Sequence, residues 1–254
     1  MNDMKQGFLD GSVSYHFSLK EIKGMVTEEQ IAELQNKIGY TFKNTLLLRQ
    51  ALTHSSFANE QKINKRGDYE RLEFLGDAVL ELVSSTYLYN KYPDKREGEM
   101  TKMRASMVCE PALAYCASNI HLEEYIILGK GEEQTGGRYR ESIISDVMEA
   151  IIGAIYLDSG LEAAKKHIEK FILDNPEEKQ IFYDSKSVLQ EIVQRDGNVE
   201  IRYEICGEKG PEHDKIFESA VYIGDKKLGE GSGRTKKAAE QKAAYQAILE
   251  LKKQ

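Results

Sequence analysis

The sequence is poor in cysteine, in long apolar runs and in excess positive charge, and each shortage narrows its class. Only three cysteines occur in 254 residues, Cys109, Cys116 and Cys206. They show no metal-ligand spacing and make no even disulfide set, so buried thiols in a reducing cytoplasm are expected. No apolar run approaches the ~18 residues that a membrane-spanning helix requires, so no membrane partner is expected. The first residues hold no apolar stretch of the kind that forms a signal peptide. Lys and Arg number 35 against 42 Asp and Glu, a net charge of −7. That total gives no sign of a polyanionic partner, so charge has to be read segment by segment.

Apolar residues make up 41% of the chain, enough for a packed core, and the length suits one large domain or two ordinary ones. Residues 184–254 carry 13 basic and 13 acidic residues, so the whole negative excess lies ahead of them. Residues 226–254 hold eight basic and three acidic residues. An acidic body is thus followed by a neutral segment with a basic end.

Residues 1–26 are mixed and weakly periodic, an N-terminal extension. Helical texture starts at Thr27, where Thr27 and Gln30 fit a capping box and Ile31, Leu34 and Ile38 repeat at helical spacing. One helix after another is expected across 27–174, with little strand. Leu72, Leu75, Val79, Leu82 and Val83 form one apolar stripe; Leu113, Ala114 and Ala117 belong to a second; Val147, Ile151, Ala154, Ile155 and Leu157 form a third. Pro93 and Gly98 interrupt the chain, as do the glycines between 129 and 137, which read as a flexible turn. The polar stretch 175–183, with Pro176, is the linker candidate. Beyond it, 184–252 alternates differently. A helix over 185–194 precedes strands over 200–205, 216–223 and 226–230, with a turn at Gly224 and Asp225, and an Ala-rich helix over 235–251 follows. The expected fold class is therefore an all-α domain followed by a small α+β domain of order α-β-β-β-α.

Glu70, Glu73 and Asp77 sit at i, i+3 and i+7, which puts three carboxylates on one helix face. A solvated acidic face accounts for three such acids taken alone. Asp146 and Glu149 alter that balance, because they are spaced i, i+3 on a helix over 143–157 that is apolar nearly all round. Carboxylates on a buried helix need partners, either Lys and Arg in ion pairs or a hard cation that takes oxygen ligands. No His and Cys set competes as a zinc site.

The stretch from Glu70 to Asp77, continuing Ala78-Val79-Leu80, resembles the signature motif of the ribonuclease III family. The segments around 51–55, 97–105 and 129–150 resemble the family's other motifs in the same order, so the likeness covers nearly the whole chain after Met25. It implies a Mg²⁺-dependent endonuclease for double-stranded RNA, with Mn²⁺ able to substitute, that leaves 5′-phosphate and 3′-hydroxyl ends and short 3′ overhangs. It implies Glu73, Asp146 and Glu149 as metal ligands, with Asp77 and Glu149 catalytic. Glu70 and Glu97 would be acids lining the same valley. Phe74, which spacing alone would assign to the core, matches an aromatic that packs into a socket on a second subunit, so a homodimer is implied. Processing of ribosomal and other structured RNA precursors is the family's usual task. His54 reads as structural in this likeness. Arg71, Arg104, Arg138 and Arg140 are open to phosphate contact or to pairing with the acids.

Residues 184–251 resemble the double-stranded RNA-binding domain. Gln190 and Glu191 match positions on the first helix that reach a minor groove. His213, in the loop after the first strand, matches a contact to the next minor groove. Lys236 and Lys237 match lysines that face phosphates across the intervening major groove. Glu240 departs from the pattern, since many such domains carry a further Lys there. Two other functions compete: a non-catalytic double-stranded RNA-binding homologue, which would have lost an acid, and an acidic helical scaffold bearing an adaptor domain. The acid set has no gap.

Overall fold

A computed structural model describes residues 26–61, 67–174, 185–196, 199–210, 215–233 and 235–252. The proposed linker over 175–183, nearly all of the N-terminal extension and His213 lie outside the described residues.

The first unit is helical. It runs α1 Glu28–Ile38, α2 Thr45–Ala51, α3 Ser55–Glu60, α4 Glu70–Lys91, α5 Glu97–Val108, α6 Glu110–Ser118, α7 Lys130–Gln134, α8 Glu141–Ser159 and α9 Leu161–Phe171, with short 3₁₀ turns at Leu122–Tyr125 and Gly137–Tyr139. α1 begins on the expected capping box: the Thr27 hydroxyl accepts from the Gln30 backbone N–H, and the Gln30 side chain accepts from Thr27 N–H. It ends where Gly39 turns left-handed at φ 65°, a conformation glycine adopts without steric cost. Strand pairing among the described residues of this unit is limited to an isolated bridge between Thr53 and Ile127.

α8 is the axis of the core. From Ile143 to Ile155 it buries residues on every side, and α2, α4, α6 and α9 all pack on it. Its all-round apolarity therefore reflects neighbours on all sides, each fully buried Ile or Leu contributing about 1.5–3 kcal/mol. Two stripe members leave the core: Leu82 and Leu157 are each 55% exposed. The expected flexible turn over 129–137 is instead tied down. Gly129 N–H donates to Ser56 Oγ and Gly131 N–H to Glu60 Oε1. Arg138 donates to Glu133 and to the carbonyls of Glu123 and Ile126. Glycine punctuation marks the bends here, but these side-chain bonds hold them.

The second unit comprises α10 Ser185–Asp196, β1 Ile201–Lys209, β2 Ile216–Ile223, β3 Lys226–Gly233 and α11 Lys236–Leu251. Its strands form an antiparallel sheet in the order β1-β2-β3. Leu189, Val193 and Val221 pack with Ala243, Ala244, Ala247 and Ile248 beneath it. β3 runs to Gly233, past the expected end at Glu230, pairing Phe217 with Gly233. Glycine is depleted in strands, which hides this extension in the sequence. Gly229 and Gly231 are there because α11 lies against them: a Cβ at either would stand 2.2 Å and 2.4 Å from the Ala243 and Ala239 carbonyl oxygens. Of the three free cysteines only Cys116 is buried; Cys109 is half-buried and Cys206, on β1, is exposed. Among the described residues no helix is long and apolar enough to cross a membrane.

Candidate metal centre and nucleic-acid interface

α4 and α8 cross with their backbones touching. A Cβ at Gly76 would lie 1.8 Å from the Glu149 carbonyl oxygen, and one at Gly153 would lie 2.2 Å from the Leu72 carbonyl oxygen. Glycine inside a helix costs about 1 kcal/mol relative to alanine, so this pair marks a place where close approach matters more than helix stability. The contact sets the carboxylates of one helix against those of the other. Glu73 and Asp77 lie on α4 beside Gly76, and Asp146 and Glu149 on α8 before Gly153. The Tyr69 hydroxyl, just ahead of α4, donates to Asp146 Oδ2 at 3.2 Å.

Burial, and after it neighbouring charge, raises Glu73, Asp146 and Glu149. Burial, then the charges of Asp77, Asp146 and Glu73, push Glu149 up to about 8. Burial, then Asp146, Glu70 and Asp77, push Glu73 up to about 7. Burial also raises the Asp146 carboxyl, against the downward pull of the Tyr69 hydrogen bond. Among the described residues no Lys or Arg forms an ion pair with Glu73, Asp77, Asp146 or Glu149. Nor do any three His, Cys, Asp or Glu side chains converge tightly enough to close a metal-binding set as they stand. The four acids form an open, self-repelling group with oxygen donors only. That donor chemistry fits a hard divalent cation that keeps several waters, and it does not fit zinc.

Glu70 belongs to the edge of this group: it is exposed, and its charge bears on Glu73 and on His54. Glu97 is not brought there within one chain. It opens α5, accepts from Thr101 Oγ1 at 2.9 Å, and lines a groove of about 590 Å³ between α4 and α5 with Ser85, Tyr89, Met100 and Arg104. The groove's α4 residues, Ser85 to Asn90, lie between about 12 Å from Asp77 and about 26 Å from Glu73 along the helix at 1.5 Å per residue. His54 has a structural task, as expected. Its Nδ1 accepts from the Ser56 backbone N–H and caps α3. Three of the four arginines are engaged away from the four acids, Arg104 with Glu81, Arg138 with Glu133 and Arg140 with Glu132. Arg71 is exposed. Phe74 is the opposite of a core residue, 80% exposed one residue from Glu73. Ala78 and Leu82 continue an exposed apolar stripe from it at helical spacing.

On the second unit, Gln190 and Glu191 are exposed on α10, and Lys236 and Lys237 are exposed in the first turn of α11. The helix start is fixed by Thr235, whose hydroxyl accepts from Ala238 N–H at 3.0 Å. Lys236 reaches back over the Phe217 ring, 5.7 Å from its centre.

Comparison with known proteins accords with both units. The Ribonuclease-III-like family matches residues 44–175, and the double-stranded RNA binding motif matches residues 185–251. Ribonuclease 3 of Listeria innocua is 52% identical over 224 residues, 87% of this chain and 98% of that protein. The chain belongs to the ribonuclease III family. Ribonuclease 3 of Geobacillus kaustophilus is 51% identical over 222 residues, 87% of this chain and 90% of that protein. The nuclease domain of ribonuclease III from Campylobacter jejuni, solved in a study of flexibility in a region involved in its dimer formation, is 43% identical. It superposes with a TM-score of 0.53 over 57% of this chain and 97% of that one.

As a ribonuclease III family member, the chain is an endoribonuclease carrying a double-stranded RNA-binding domain. Sequence reasoning had missed several residues around its acids. Glu81, one turn beyond Asp77, adds its charge to the Glu149 environment while pairing with Arg104 at 2.9 Å. Its i, i+4 spacing from Asp77 was the available signal. Gly76 and Gly153, each inside a long helix, were legible as a close-approach pair by their cost to helix stability. Tyr69 carried no comparable signal, because its partner Asp146 is 77 residues away.

Proposed function

We propose that this chain hydrolyses phosphodiester bonds in double-stranded RNA with Mg²⁺, Mn²⁺ being able to substitute, and leaves 5′-phosphate and 3′-hydroxyl ends with short 3′ overhangs. The observation that carries this reading is the set of four half-buried or exposed carboxylates at the α4–α8 crossing, of which Glu73, Asp146 and Glu149 are raised first by burial, with no described Lys or Arg paired to any of the four. Glu73, Asp146 and Glu149 would hold the metal, which when bound would lower the pKa of a water ligand and offset charge on the phosphate. Tyr69 orients the Asp146 carboxylate through its hydroxyl. Asp77, more exposed than Glu149, would act as a catalytic carboxylate beside the metal, and Glu149 would be catalytic as well as ligating. Glu70 flanks the same surface.

A homodimer completes the reading. The exposed stripe of Phe74, Ala78 and Leu82 needs an apolar neighbour, and the groove between α4 and α5 is large enough for an aromatic ring. A two-fold axis would place each Phe74 in the other chain's groove. The same operation would carry Glu97, on the rim of that groove, toward the acids of the mate. Processing of ribosomal and other structured RNA precursors in the cytoplasm is the task this assembly suits. A labelled RNA duplex incubated with and without Mg²⁺ tests the proposal. Cleavage confined to the Mg²⁺ arm is expected. Duplex binding with no cleavage in either arm would favour the non-catalytic homologue.

A further inference from the structure

Lys186 and Glu240 join the two helices of the RNA-binding domain. Lys186 Nζ lies 2.6 Å from Glu240 Oε2, and 4.4 Å from the centre of the Tyr203 ring on β1. Both side chains remain partly open to solvent, 38% for Lys186 and 24% for Glu240. Each occupies a telling place on its helix. Lys186 is one turn ahead of Gln190 on α10, and Glu240 is one turn beyond Lys236 on α11, so each shares a face with a residue assigned to RNA. A solvent-accessible pair of this kind contributes little to folding. Its ammonium is nonetheless held at two points, by a carboxylate and by an aromatic face.

The geometry points to Lys186 and Glu240 as an affinity-setting pair within the RNA footprint: Glu240 occupies an ammonium that would otherwise meet a phosphate. The inference rests on the reading that α10 and the first turn of α11 face the duplex. An RNA phosphate arriving beside Lys236 and Lys237 competes with Glu240 for Lys186. While the carboxylate holds the ammonium, the pair adds no net charge, and the edge binds phosphate through two lysines rather than three. Glu240 thus acts as a built-in competitor that keeps the domain's grip on RNA weak, and Lys186 is the cation it withholds.

The test is equilibrium binding of the full-length chain to an RNA duplex of about 24 base pairs, longer than the ~16 that one such domain spans. EDTA is present so that no strand is cut, and salt is varied. Glu240→Gln, with Glu240→Ala as a second removal of the charge, should steepen the slope of log K against log salt by about 0.9. It should tighten binding up to about eightfold at 0.1 M salt, with the gain fading toward 1 M. Lys186→Gln added to Glu240→Gln should erase that gain. Glu200→Gln removes the same charge beside the Gly224 turn, at the far end of the sheet from the loop after β1, and should leave the slope as it is. Thermal unfolding checks that each variant is folded. An unchanged slope in both Glu240 variants overturns the inference, as does an equal steepening in Glu200→Gln, which would reduce the effect to total charge. Lys236→Ala with Lys237→Ala serves as the reference. If that variant binds with the wild-type slope, the facing of the domain is wrong and the inference falls with it; if only the Glu240 variants are silent, the facing stands and the competitor role fails.

Discussion

Charge is half-buried, of one sign and uncompensated at the α4–α8 crossing, whereas on the RNA-binding domain it is exposed, mixed and paired. Glu149 and Glu73 are pushed up to about 8 and about 7 because burial and the charges of neighbouring acids oppose ionisation. On the domain, Lys186 meets Glu240 and Lys209 meets Glu218, each at 2.6 Å. A site that must attract a divalent cation gains from acids with no other partner, since the cation relieves a repulsion already built in. A surface that must hold and release a long polyanion gains from many weak, screened contacts. Loss of one charge should therefore be severe at the first site and graded at the second.

The largest effect should come from Glu149→Gln. The substitution keeps size and helix propensity but removes one of the charges proposed to hold the metal. Single-turnover cleavage of a duplex should fall by at least about 10³-fold, while duplex binding stays within a few-fold of wild type. Near-normal cleavage in Mg²⁺ would show that the Glu149 carboxylate is not needed for the chemistry.

Phe74→Ala comes next. Because Phe74 is 80% exposed in a single chain, its truncation should leave the fold of that chain intact and weaken association instead. A central aromatic anchor typically accounts for about 2–4 kcal/mol of an interface. Sedimentation at micromolar concentration should show the wild type as a dimer and the variant largely as monomer. Should both sediment alike at ~29 kDa, the shared-groove arrangement would be wrong.

How far these sites were legible in the sequence depends on how local their cause is. The capping box of α1, the helical spacing of Glu70, Glu73 and Asp77, and the all-round burial of α8 follow from neighbours within two or three turns. The α-β-β-β-α order of the second unit was readable from its change of period. Exposure was harder. Leu82 and Phe74 have the spacing and apolarity of core residues, and only the crossing of α4 with α8 decides which stripe is covered. The extension of β3 was hidden because its glycines answer to α11 rather than to strand propensity. Glu97 sits in the right motif but on another part of the chain's surface, and no periodicity reports that. Lys186 pairs with Glu240 across 54 residues, so the departure at Glu240 could be seen while its compensation could not.

A smaller effect should appear in the metal-free protein as a function of pH. Glu73 and Glu149 keep their protons when folded at pH values where the unfolded chain, near the ordinary 4.5, has lost them. Folding therefore takes up protons between about pH 5 and 8, and stability falls as pH rises through that window. Thermal unfolding in EDTA should show a declining midpoint from pH 5 to 8. Mg²⁺ should raise the midpoint more at pH 8 than at pH 5, because it binds the ionised acids. The combined variant Glu73→Gln and Glu149→Gln should flatten the decline. A midpoint that rises toward pH 8 in EDTA would show that the acids are already compensated.

The smallest effect belongs to the basic edge. Lys236 and Lys237 are exposed in the first turn of α11, where helix N–H groups add to their attraction for phosphate. Removing both as Lys236→Ala with Lys237→Ala deletes two point charges from a surface that binds through many. The slope of log K against log salt should become shallower by about 1–2 units. Because phosphate contacts carry no base information, duplexes of different sequence should weaken alike. Once saturated with RNA, the variant should cut at nearly the wild-type rate, since the α4–α8 acids are untouched. That separation of binding from turnover is the sharpest form of the contrast. A variant that binds normally but cuts slowly would place these lysines in the chemistry and erase the distinction between the two regions.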